Sequence, residues 1–423
     1  MDTVTRRKFL RASGVGGAAA LAAGATAVSL RELFAAGHSR PLAGDAHVLV
    51  LVTLYGGNDG LNTLVPYADP AYRAARPELA YADHDVLHLD GQLGLNPAMK
   101  GMKKLWDGHQ LAIVRGVGYP KPDHSHFRSM DIWQTASPDR PVPTGWLGRW
   151  LDTTGDDPLR AVSLDPVLPP LLAGAKAAGA ALPLTGLKLP KGPLGAGFSG
   201  LAKPSAGEPP LRARAASAIA DLYAVDTHLG PALAHAHDHA TPTPSATASD
   251  DATRNNGASA GGQSALAAEL DVVAACLEAN VPTRVYSVSL GGFDTHADEK
   301  GTQSRLLAEL DAAISGFFQR IGGTARGRQV VLATYSEFGR RVKANASQGT
   351  DHGTAGPVFV VGHPVRGGRF FGQQPSLTDL DNGDLRHHTD FRDVYATLLE
   401  DVLGADAGRI LGDHQGRVSG LLA

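Results

Sequence analysis

The stretch His47-Val-Leu-Val-Leu-Val-Thr-Leu-Tyr55 is followed directly by Gly56-Gly57-Asn58-Asp59-Gly60. The first nine residues form a nearly continuous apolar run with several β-branched side chains, which is typical of a strand buried on both faces of a parallel sheet. The glycines mark the turn at which such a strand ends. We therefore predict a central strand of an α/β domain, with polar residues gathered just beyond its carboxyl end.

Four more runs of this type occur along the chain, and helical patterns separate several of them. Because strands joined through a helix return parallel to one another, this order predicts a mostly parallel central sheet flanked by helices. The strand runs are residues 111–115, 284–290, 329–335 and 357–361, and the helical patterns are residues 265–280, 302–321 and 391–403.

The composition is typical of a soluble globular protein, and the length allows one large α/β domain with insertions or two ordinary domains. The chain has 423 residues, of which 43% are hydrophobic and 19% charged, with a formal charge of −3. Such a balance provides no basic field for a nucleic-acid backbone, so we expect no nucleic-acid partner. Residues 37–423 are predicted to form a single domain. Residues 165–262 interrupt its pattern with Pro, Gly and Ala and are predicted to be an irregular insertion.

The amino terminus carries an export pattern. Paired arginines precede Phe-Leu in Thr5-Arg6-Arg7-Lys8-Phe9-Leu10, and residues 12–30 form a weakly apolar run without an acidic residue. This resembles a twin-arginine signal, so we predict that residues 1–36 are a signal peptide. The export machinery would then be a partner, and the protein would be periplasmic or secreted. Cleavage near Ala27 and cleavage near Ala36 both remain open. No later stretch is apolar for the ~18 residues of a membrane span, so none is expected after signal removal.

Polar residues follow the predicted strands. Because the carboxyl ends of parallel strands meet at one edge of a sheet, these side chains should converge there. Converging carboxylates and imidazoles repel unless a cation or a shared proton neutralises them, so the simplest prediction is a divalent metal site. The segments are Gly56-Gly57-Asn58-Asp59, Gly291-Gly292-Phe293-Asp294-Thr295-His296, Ser336-Glu337-Phe338, Thr350-Asp351-His352 and Asp123-His124-Ser125-His126-Phe127-Arg128.

Each segment also has a purely structural explanation. Asp59 could stabilise a tight turn, and Asp294 could cap the following helix. Glu337 could pair with Arg340 or Arg341 on the surface, and His352 could bond to its neighbour Asp351. Their coincidence at one sheet edge favours a joint site.

Taken together, these motifs resemble the twin-arginine-exported bacterial proteins known as the domain of unknown function 1501 family. That family is alkaline-phosphatase-like and related to sulfatases and cofactor-independent phosphoglycerate mutases. The resemblance extends from about residue 46 to 403 and is carried by residues 54–66, 125–135, 291–296, 334–340 and 349–357. It implies an alkaline-phosphatase-like fold, with Ser125 as the match to a nucleophile that starts a helix.

The resulting hypothesis is an exported, metal-dependent hydrolase of small anionic phosphate or sulfate esters. The expected catalytic residues are Ser125, Glu337 and Arg128, and the expected metal ligands are Asp59, Asp294, His296, Glu337 and His352. Imidazoles favour zinc, whereas the carboxylates suit manganese, magnesium or calcium.

Several alternatives stay open. Ser129 and Thr63 are rival nucleophiles. Phe338 stands where the superfamily resemblance implies a histidine for a second metal, which favours an alternative function, a non-catalytic exported binding or accessory protein. An exported redox protein is a third option, although the sequence carries no haem, iron–sulfur or dinucleotide motif.

Overall fold

The computed structural model describes residues 26–28, 30–165, 167–182, 266–412 and 414–423. The twin-arginine motif and residues 183–262 of the predicted insertion lie outside these ranges. In chain order the elements before the insertion are β1 (Thr26–Ala27), α1 (Leu30–Ser39), β2 (Val48–Leu54), α2 (Gly60–Thr63), β3 (Leu64–Val65), α3 (Pro70–Ala75), β4 (Leu87–His88), β5 (Gly94–Leu95), α4 (Lys100–Asp107), β6 (Leu111–Gly118), α5 (His126–Thr135), α6 (Trp146–Thr154), β7 (Ala161–Ser163) and β8 (Ala180–Ala181).

The elements after the insertion continue the same alternation. They are α7 (Leu266–Glu278), β9 (Val285–Leu290), α8 (Glu299–Ile321), β10 (Val330–Ser336), β11 (Arg340–Ala344), β12 (Thr350–His352), β13 (Gly356–Val361), β14 (Arg369–Phe371), β15 (Leu380–Asp381), β16 (Asp384–Leu385), β17 (Thr389–Asp390), α9 (Phe391–Thr397) and α10 (Ala407–Ile410). A π-helical turn, Leu398–Val402, extends α9.

Within the described residues the main sheet has the strand order β1-β8-β7-β9-β2-β10-β13-β6-β14, and β17 also pairs with β6. The neighbouring pairs are parallel except the two that involve β13, which runs antiparallel to both β10 and β6. The connection from β10 to β13 passes through the hairpin β11–β12 rather than through a crossover helix, so the chain returns in the opposite direction. The predicted mostly parallel α/β sheet is confirmed.

The central strand β2 is buried on both faces, as its composition predicts. Val48, Val50 and Val52 face one apolar core, whereas Leu49 and Leu51 face a second core on the other side of the sheet. Side chains of α1, α7 and α8 cover the first core, and those of α5, α6 and α9 cover the second. The sheet is therefore covered by helices on both faces, so polar groups are found mainly in the loops at the ends of its strands.

Two predicted boundaries fall inside ordered structure. The predicted insertion starts at residue 165, yet β8 lies at residues 180–181 and pairs with β7 and β1 in the main sheet. The predicted signal peptide ends at residue 36, which lies within α1. The insertion boundary follows only from composition, and the signal boundary follows only from the motif at residues 5–10 and the weakly apolar run after it. Among the described residues, no helix is long and apolar enough to cross a membrane.

Candidate metal centre

The polar segments meet at one edge of the main sheet because of its topology. Loops leave the carboxyl ends of β2, β6, β9 and β10 at this edge, and the antiparallel strand β13 begins there. The residues that precede β13, including His352, are thus brought to the loops that follow the parallel strands. An antiparallel strand joins the site through its amino end for the same reason that a parallel strand joins through its carboxyl end.

Asp294, His296 and His352 form the centre of the cluster. The Nε2 atoms of His296 and His352 are 2.9 Å apart, and each lies 3.1 Å from Oδ1 of Asp294. Two imidazole nitrogens that face each other repel if both carry a proton or both present a lone pair. This contact therefore requires a shared proton or a cation between them.

His126, the first residue of α5, adds a third imidazole. Its Nε2 lies 3.4 Å from Oδ2 of Asp294, and its ring meets that of His352 edge-on with centroids 4.4 Å apart. The Nε2 atom is buried and has no hydrogen-bond partner among the described residues. Ligand atoms of His126, Asp294 and His352 all lie within 4.8 Å of one another, which is the range that a common metal ion spans.

His126 and His352 are each held in place by a contact of the second ring nitrogen, Nδ1. His352 Nδ1 lies 2.7 Å from the backbone carbonyl of His124, so Nδ1 carries the proton and donates it. His126 Nδ1 lies 2.9 Å from Oε1 of the buried Glu337, which also accepts a hydrogen bond from the Gly56 amide. Such outer hydrogen bonds keep a proton on Nδ1, so Nε2 is the nitrogen that can bind a metal, as in metal-ligating histidines. At neutral pH a metal would have to displace the proton on Nε2 of His126, because the pKa of this residue is raised.

Arg340 fixes the position of Asp294. The guanidinium is fully buried and its Nη2 donates to Oδ1 of Asp294 at 2.8 Å. It also donates to four backbone carbonyls, those of Gly56, Gly57, Phe293 and Thr350. These carbonyls belong to the loops after β2 and β9 and to β12, so one cation ties three segments of the cluster together.

Burial and charge shift the pKa values of the cluster in opposite directions. Burial favours the neutral acid at Asp294, yet its close contacts with His126, His352 and Arg340 hold its pKa well below the usual range. Burial opposes protonation of His126, yet its contacts with the carboxylates of Asp294 and Glu337 raise its pKa to about 9. Burial lowers the pKa of His296. The cluster thus holds an ionised carboxylate at neutral pH, together with imidazoles of different basicity.

These shifts predict a pH dependence for the metal-free protein. A histidine whose pKa is raised on folding stabilises the fold fully below its unfolded pKa, near 6.5, and loses that contribution as the pH rises through about 9. We expect the free energy of unfolding of the chelator-treated protein to fall across this window. His126→Gln should remove this part of the pH dependence, measured by denaturant titrations at several pH values. His388→Gln, which changes an exposed histidine, is the control and should leave the profile unchanged. A wild-type profile that is flat from about pH 6.5 to 9 would contradict this account.

Asp59 lies outside the cluster. Its carboxylate is fully buried and forms an ion pair with the equally buried Arg76. Its Oδ1 also accepts a hydrogen bond from the Leu61 amide and caps α2, as in the tight-turn alternative. Arg76 and the Leu61 amide occupy the two oxygens of Asp59, and none of the contacts above joins them to the three imidazoles. We therefore do not include Asp59 in the metal site proposed below.

Ser125 directly precedes His126 at the start of α5. It occupies the N-cap position, but its side chain makes no capping hydrogen bond, and the residue is exposed. The rival hydroxyls are in a different situation. Ser129 is buried and donates to the Glu337 carbonyl, and Thr63 is buried and donates to Asn58 and to the Asp59 carbonyl. Of the three, Ser125 is therefore the hydroxyl that solvent and a ligand can reach.

Glu337 and Arg128 lie in distinct surroundings. Glu337 is adjacent to the cluster but contacts it through Nδ1 of His126, so it orients that imidazole. Arg128 pairs with Asp131 one turn along α5 and donates to the Pro138 carbonyl. The described contacts of Arg128 thus lead away from the imidazoles, and Arg340 is the cation that touches Asp294.

Three residues in the cluster were not selected from the sequence. His126 stands in the quoted segment beside Ser125, and its place after β6 at the same sheet edge was the available signal. Arg340 was interpreted only as a possible surface partner of Glu337. Phe338 is buried and packs against the rings of His126 and His352, with centroid distances of 5.0 and 4.6 Å, so it forms an apolar wall of the cluster.

Comparison with solved structures gives only distant similarity. The protein Ps i-CgsB matches with 10% identity and a TM-score of 0.36, covering 88% of this chain and 75% of that chain. A putative sulfatase from Bacteroides thetaiotaomicron and a 2-O GAG sulfatase match with 10% identity and TM-scores of 0.32 and 0.30, each covering 88% of this chain and 76% of that chain. TM-scores this low do not bear on function.

Sequence comparison is more decisive. No curated protein matches the chain significantly. The profile of the family described as "Protein of unknown function (DUF1501)" matches residues 206–422, which is just over half of the 423 residues. This match confirms the family resemblance predicted from the motifs. The chain therefore belongs to the DUF1501 family.

Proposed function

We propose that the protein is an exported, metal-dependent hydrolase of phosphate or sulfate esters. In this proposal His126, Asp294 and His352 hold one divalent ion, and His296 is a fourth donor. The observation that carries the proposal is the buried Nε2 of His126, which has no hydrogen-bond partner among the described residues and faces a carboxylate. The export part rests on residues 5–10 alone.

The donor spacing fits a metal ion. A tetrahedral zinc with bonds of about 2.0–2.1 Å separates neighbouring ligand atoms by about 3.3–3.4 Å. The contacts among Asp294, His296 and His352 are 2.9–3.1 Å, and the contact from His126 to Asp294 is 3.4 Å. The contacts among Oδ1 of Asp294 and the Nε2 atoms of His296 and His352 are within about half an ångström of that geometry. His126 faces the other carboxylate oxygen, Oδ2, and the ligand atoms of His126, Asp294 and His352 spread over up to 4.8 Å. In this proposal a side-chain shift of about an ångström brings His126 to the same ion.

The donor chemistry points to zinc. Three imidazoles and one carboxylate surround the point of closest approach, whereas magnesium and calcium prefer oxygen ligands throughout. Among the ligands predicted from the sequence, Asp59 is no longer included and Glu337 contacts His126 instead of the ion. Two of the carboxylates that favour manganese, magnesium or calcium are therefore absent from the proposed site. We therefore propose zinc as the resident metal.

The exposure of the donors supports a catalytic rather than a purely structural ion. The side chains of His296 and Asp294 are 46% and 36% exposed, while those of His126 and His352 are 18% and 21% exposed. The cluster is thus closed on the side of His126 and open to solvent on the side of His296. Catalytic metal sites need such an opening, since a substrate must reach the ion.

Ser125 is the proposed nucleophile. Its Oγ would form a bond to phosphorus or sulfur as the bond to the departing alcohol oxygen breaks, and the hydroxyl proton and the departing alkoxide together make the released alcohol. Water then hydrolyses the ester formed on Ser125. The adjacent imidazole of His126, held by Glu337 at 2.9 Å, fixes the start of α5 and so the position of Ser125.

When bound, a divalent cation would supply the positive charge that makes a hydroxyl a better nucleophile and offsets charge on the ester oxygens. The residues of the chain prepare that site. Arg340 and Phe338 hold Asp294 and the imidazole rings in place, and Glu337 and the His124 carbonyl keep the protons of His126 and His352 on Nδ1.

Metal content is the first test. We expect elemental analysis of the purified protein to give about one divalent ion per chain, and His126→Ala and His352→Ala each to lower the affinity by 10-fold or more. His388→Ala, which changes an exposed histidine, is the matched control and should keep the ion. A protein that binds no divalent ion, even when zinc, manganese, magnesium or calcium is supplied, would refute the metal site.

Activity is the second test. The metal-loaded protein should hydrolyse at least one of 4-nitrophenyl phosphate, bis(4-nitrophenyl) phosphate and 4-nitrophenyl sulfate. A protein that holds its ion but hydrolyses none of them would favour the alternative, a non-catalytic binding protein. The apolar wall formed by Phe338 is the observation that favours this second function, because it occupies space beside two ligands.

A further inference from the structure

We propose that helix α1 is a permanent part of the mature protein and that the mature chain begins no later than Val28. The sequence allows signal cleavage near Ala27 or near Ala36. The structure separates these two positions, because the first lies before α1 and the second lies inside it. The existence of a signal peptide rests on the proposed export, whereas the role of α1 rests on its own contacts.

The apolar face of α1 is buried in the domain core. Leu30 and Ala36 are 7% and 6% exposed, and Leu33 is fully buried. These residues recur at helical spacing and belong to the same apolar cluster as Leu277 and Val281 of the α7 region. Removal of residues up to 36 would expose that part of the core to water, which is unfavourable for every apolar side chain uncovered.

The backbone before and after α1 forms hydrogen bonds with the rest of the domain. Gly37 packs against the Ala279 carbonyl so closely that an added Cβ would lie 2.5 Å from the oxygen. The Leu42 amide donates to the Asn280 carbonyl, and Arg326 donates to the carbonyls of Leu42, Ala43 and Ala46. Upstream, the Val28 amide donates to the Ala181 carbonyl at the sheet edge. The described residues between 28 and 46 are thus part of the folded domain.

A signal peptidase requires an accessible, extended segment with small residues before the cleaved bond. Residues near Ala36 are neither extended nor accessible once the domain has folded, because they are helical and Ala36 is packed in the core. Ala25-Thr26-Ala27 has the pattern small residue, any residue, small residue, and it precedes α1 in the sequence. Thr26–Ala27 form the two-residue strand β1, which pairs with β8, so cleavage after Ala27 removes that short strand and leaves α1 in place. The leader therefore ends at or before Ala27.

The experiment has two arms. In the first, the full chain is expressed with its own leader, and the N-terminus of the exported, folded protein is sequenced. We expect the mature chain to begin at or before Val28, and an uncleaved chain would also retain α1. In the second, Leu33→Ala and Glu32→Ala are made in the full chain, which pairs the fully buried position with its exposed neighbour. The purified mature proteins are then unfolded by heat.

We expect Leu33→Ala to lower Tm by several degrees and by clearly more than Glu32→Ala, because only the first opens a cavity in the core. A folded mature protein that begins at residue 29 or later would overturn the proposal. So would identical Tm values for Leu33→Ala and wild type. Neither result depends on metal content or ester hydrolysis, so failure here is distinct from failure of the proposed function.

Discussion

Ser125→Ala is expected to lower kcat/KM for the hydrolysed ester by about a thousandfold or more, while metal content and fold stay as in the wild type. Loss of a nucleophile removes the covalent route entirely, so the residual rate comes only from the remaining charges and from binding. Stability should be spared because Ser125 is exposed and its side chain makes no capping hydrogen bond. Steady-state kinetics on the three nitrophenyl esters, with elemental analysis of the same samples, measure both quantities.

Ser129→Ala is the comparison variant, four residues further along α5. Ser129 is buried between the Tyr119 hydroxyl and the Glu337 carbonyl, so its loss should cost about 1 kcal/mol of stability and leave kcat/KM within about tenfold. The reverse result, with Ser129→Ala inactive and Ser125→Ala active, would move the nucleophile to the buried site. If both variants kept the wild-type kcat/KM, a serine nucleophile at either position would be ruled out.

The sheet and much of the site could be predicted from the sequence because both follow from strand direction. Long apolar runs identify β2, β9 and β10, and parallel strands deliver the residues that follow them to one edge. Asp294 and His296 were placed together by that rule. His352 joins them because β13 begins at the same edge, although its direction was not predicted.

Side-chain direction could not be predicted. Arg340 and Arg341 are adjacent in β11, and alternation along the strand sends them to opposite environments. The side chain of Arg340 is fully buried against Asp294, whereas Arg341 is 41% exposed beside Asp384. Their identical chemistry gave no basis for choosing between them, so the residue that orders the cluster was interpreted as a surface cation.

Asp59 shows a second limit of sequence reasoning. Its position after β2 was predicted correctly, since it does follow the central strand. What decides its role is the identity of the cation that faces it, and Arg76 at the end of α3 provides that charge from only 17 residues away. A local contact of this kind leaves no periodic pattern, so the sequence could not distinguish an ion-paired carboxylate from a metal ligand.

The strongest effect on stability is expected from Arg76→Met. This change leaves the fully buried Asp59 carboxylate without its cation and removes donors to the carbonyls of Val342 and Arg341. Breaking a buried ion pair by removing one partner costs about 3–5 kcal/mol, because the remaining charge stays in a medium of low polarity. Denaturant unfolding at neutral pH measures the loss, and the double variant Arg76→Met with Asp59→Asn should recover part of it, since no uncompensated charge then remains.

Glu299→Gln is the matched control for Arg76→Met, because Glu299 is the second buried carboxyl group beside Asp59. Burial, together with the charge of Asp59 and a hydrogen bond to it, raises the pKa of Glu299 to about 9. Glu299 is therefore neutral in the folded protein at pH 7 but ionised in the unfolded chain, so folding must protonate it. Glutamine needs no proton and retains an oxygen for the Thr350 hydroxyl and an amide to donate to Asp59, so this variant should be as stable as the wild type or more stable. If Glu299→Gln instead lost as much stability as Arg76→Met, we would infer that Asp59 and Glu299 are both ionised and that a second cation, besides Arg76, binds between them. Asp59 would then return to the list of metal ligands.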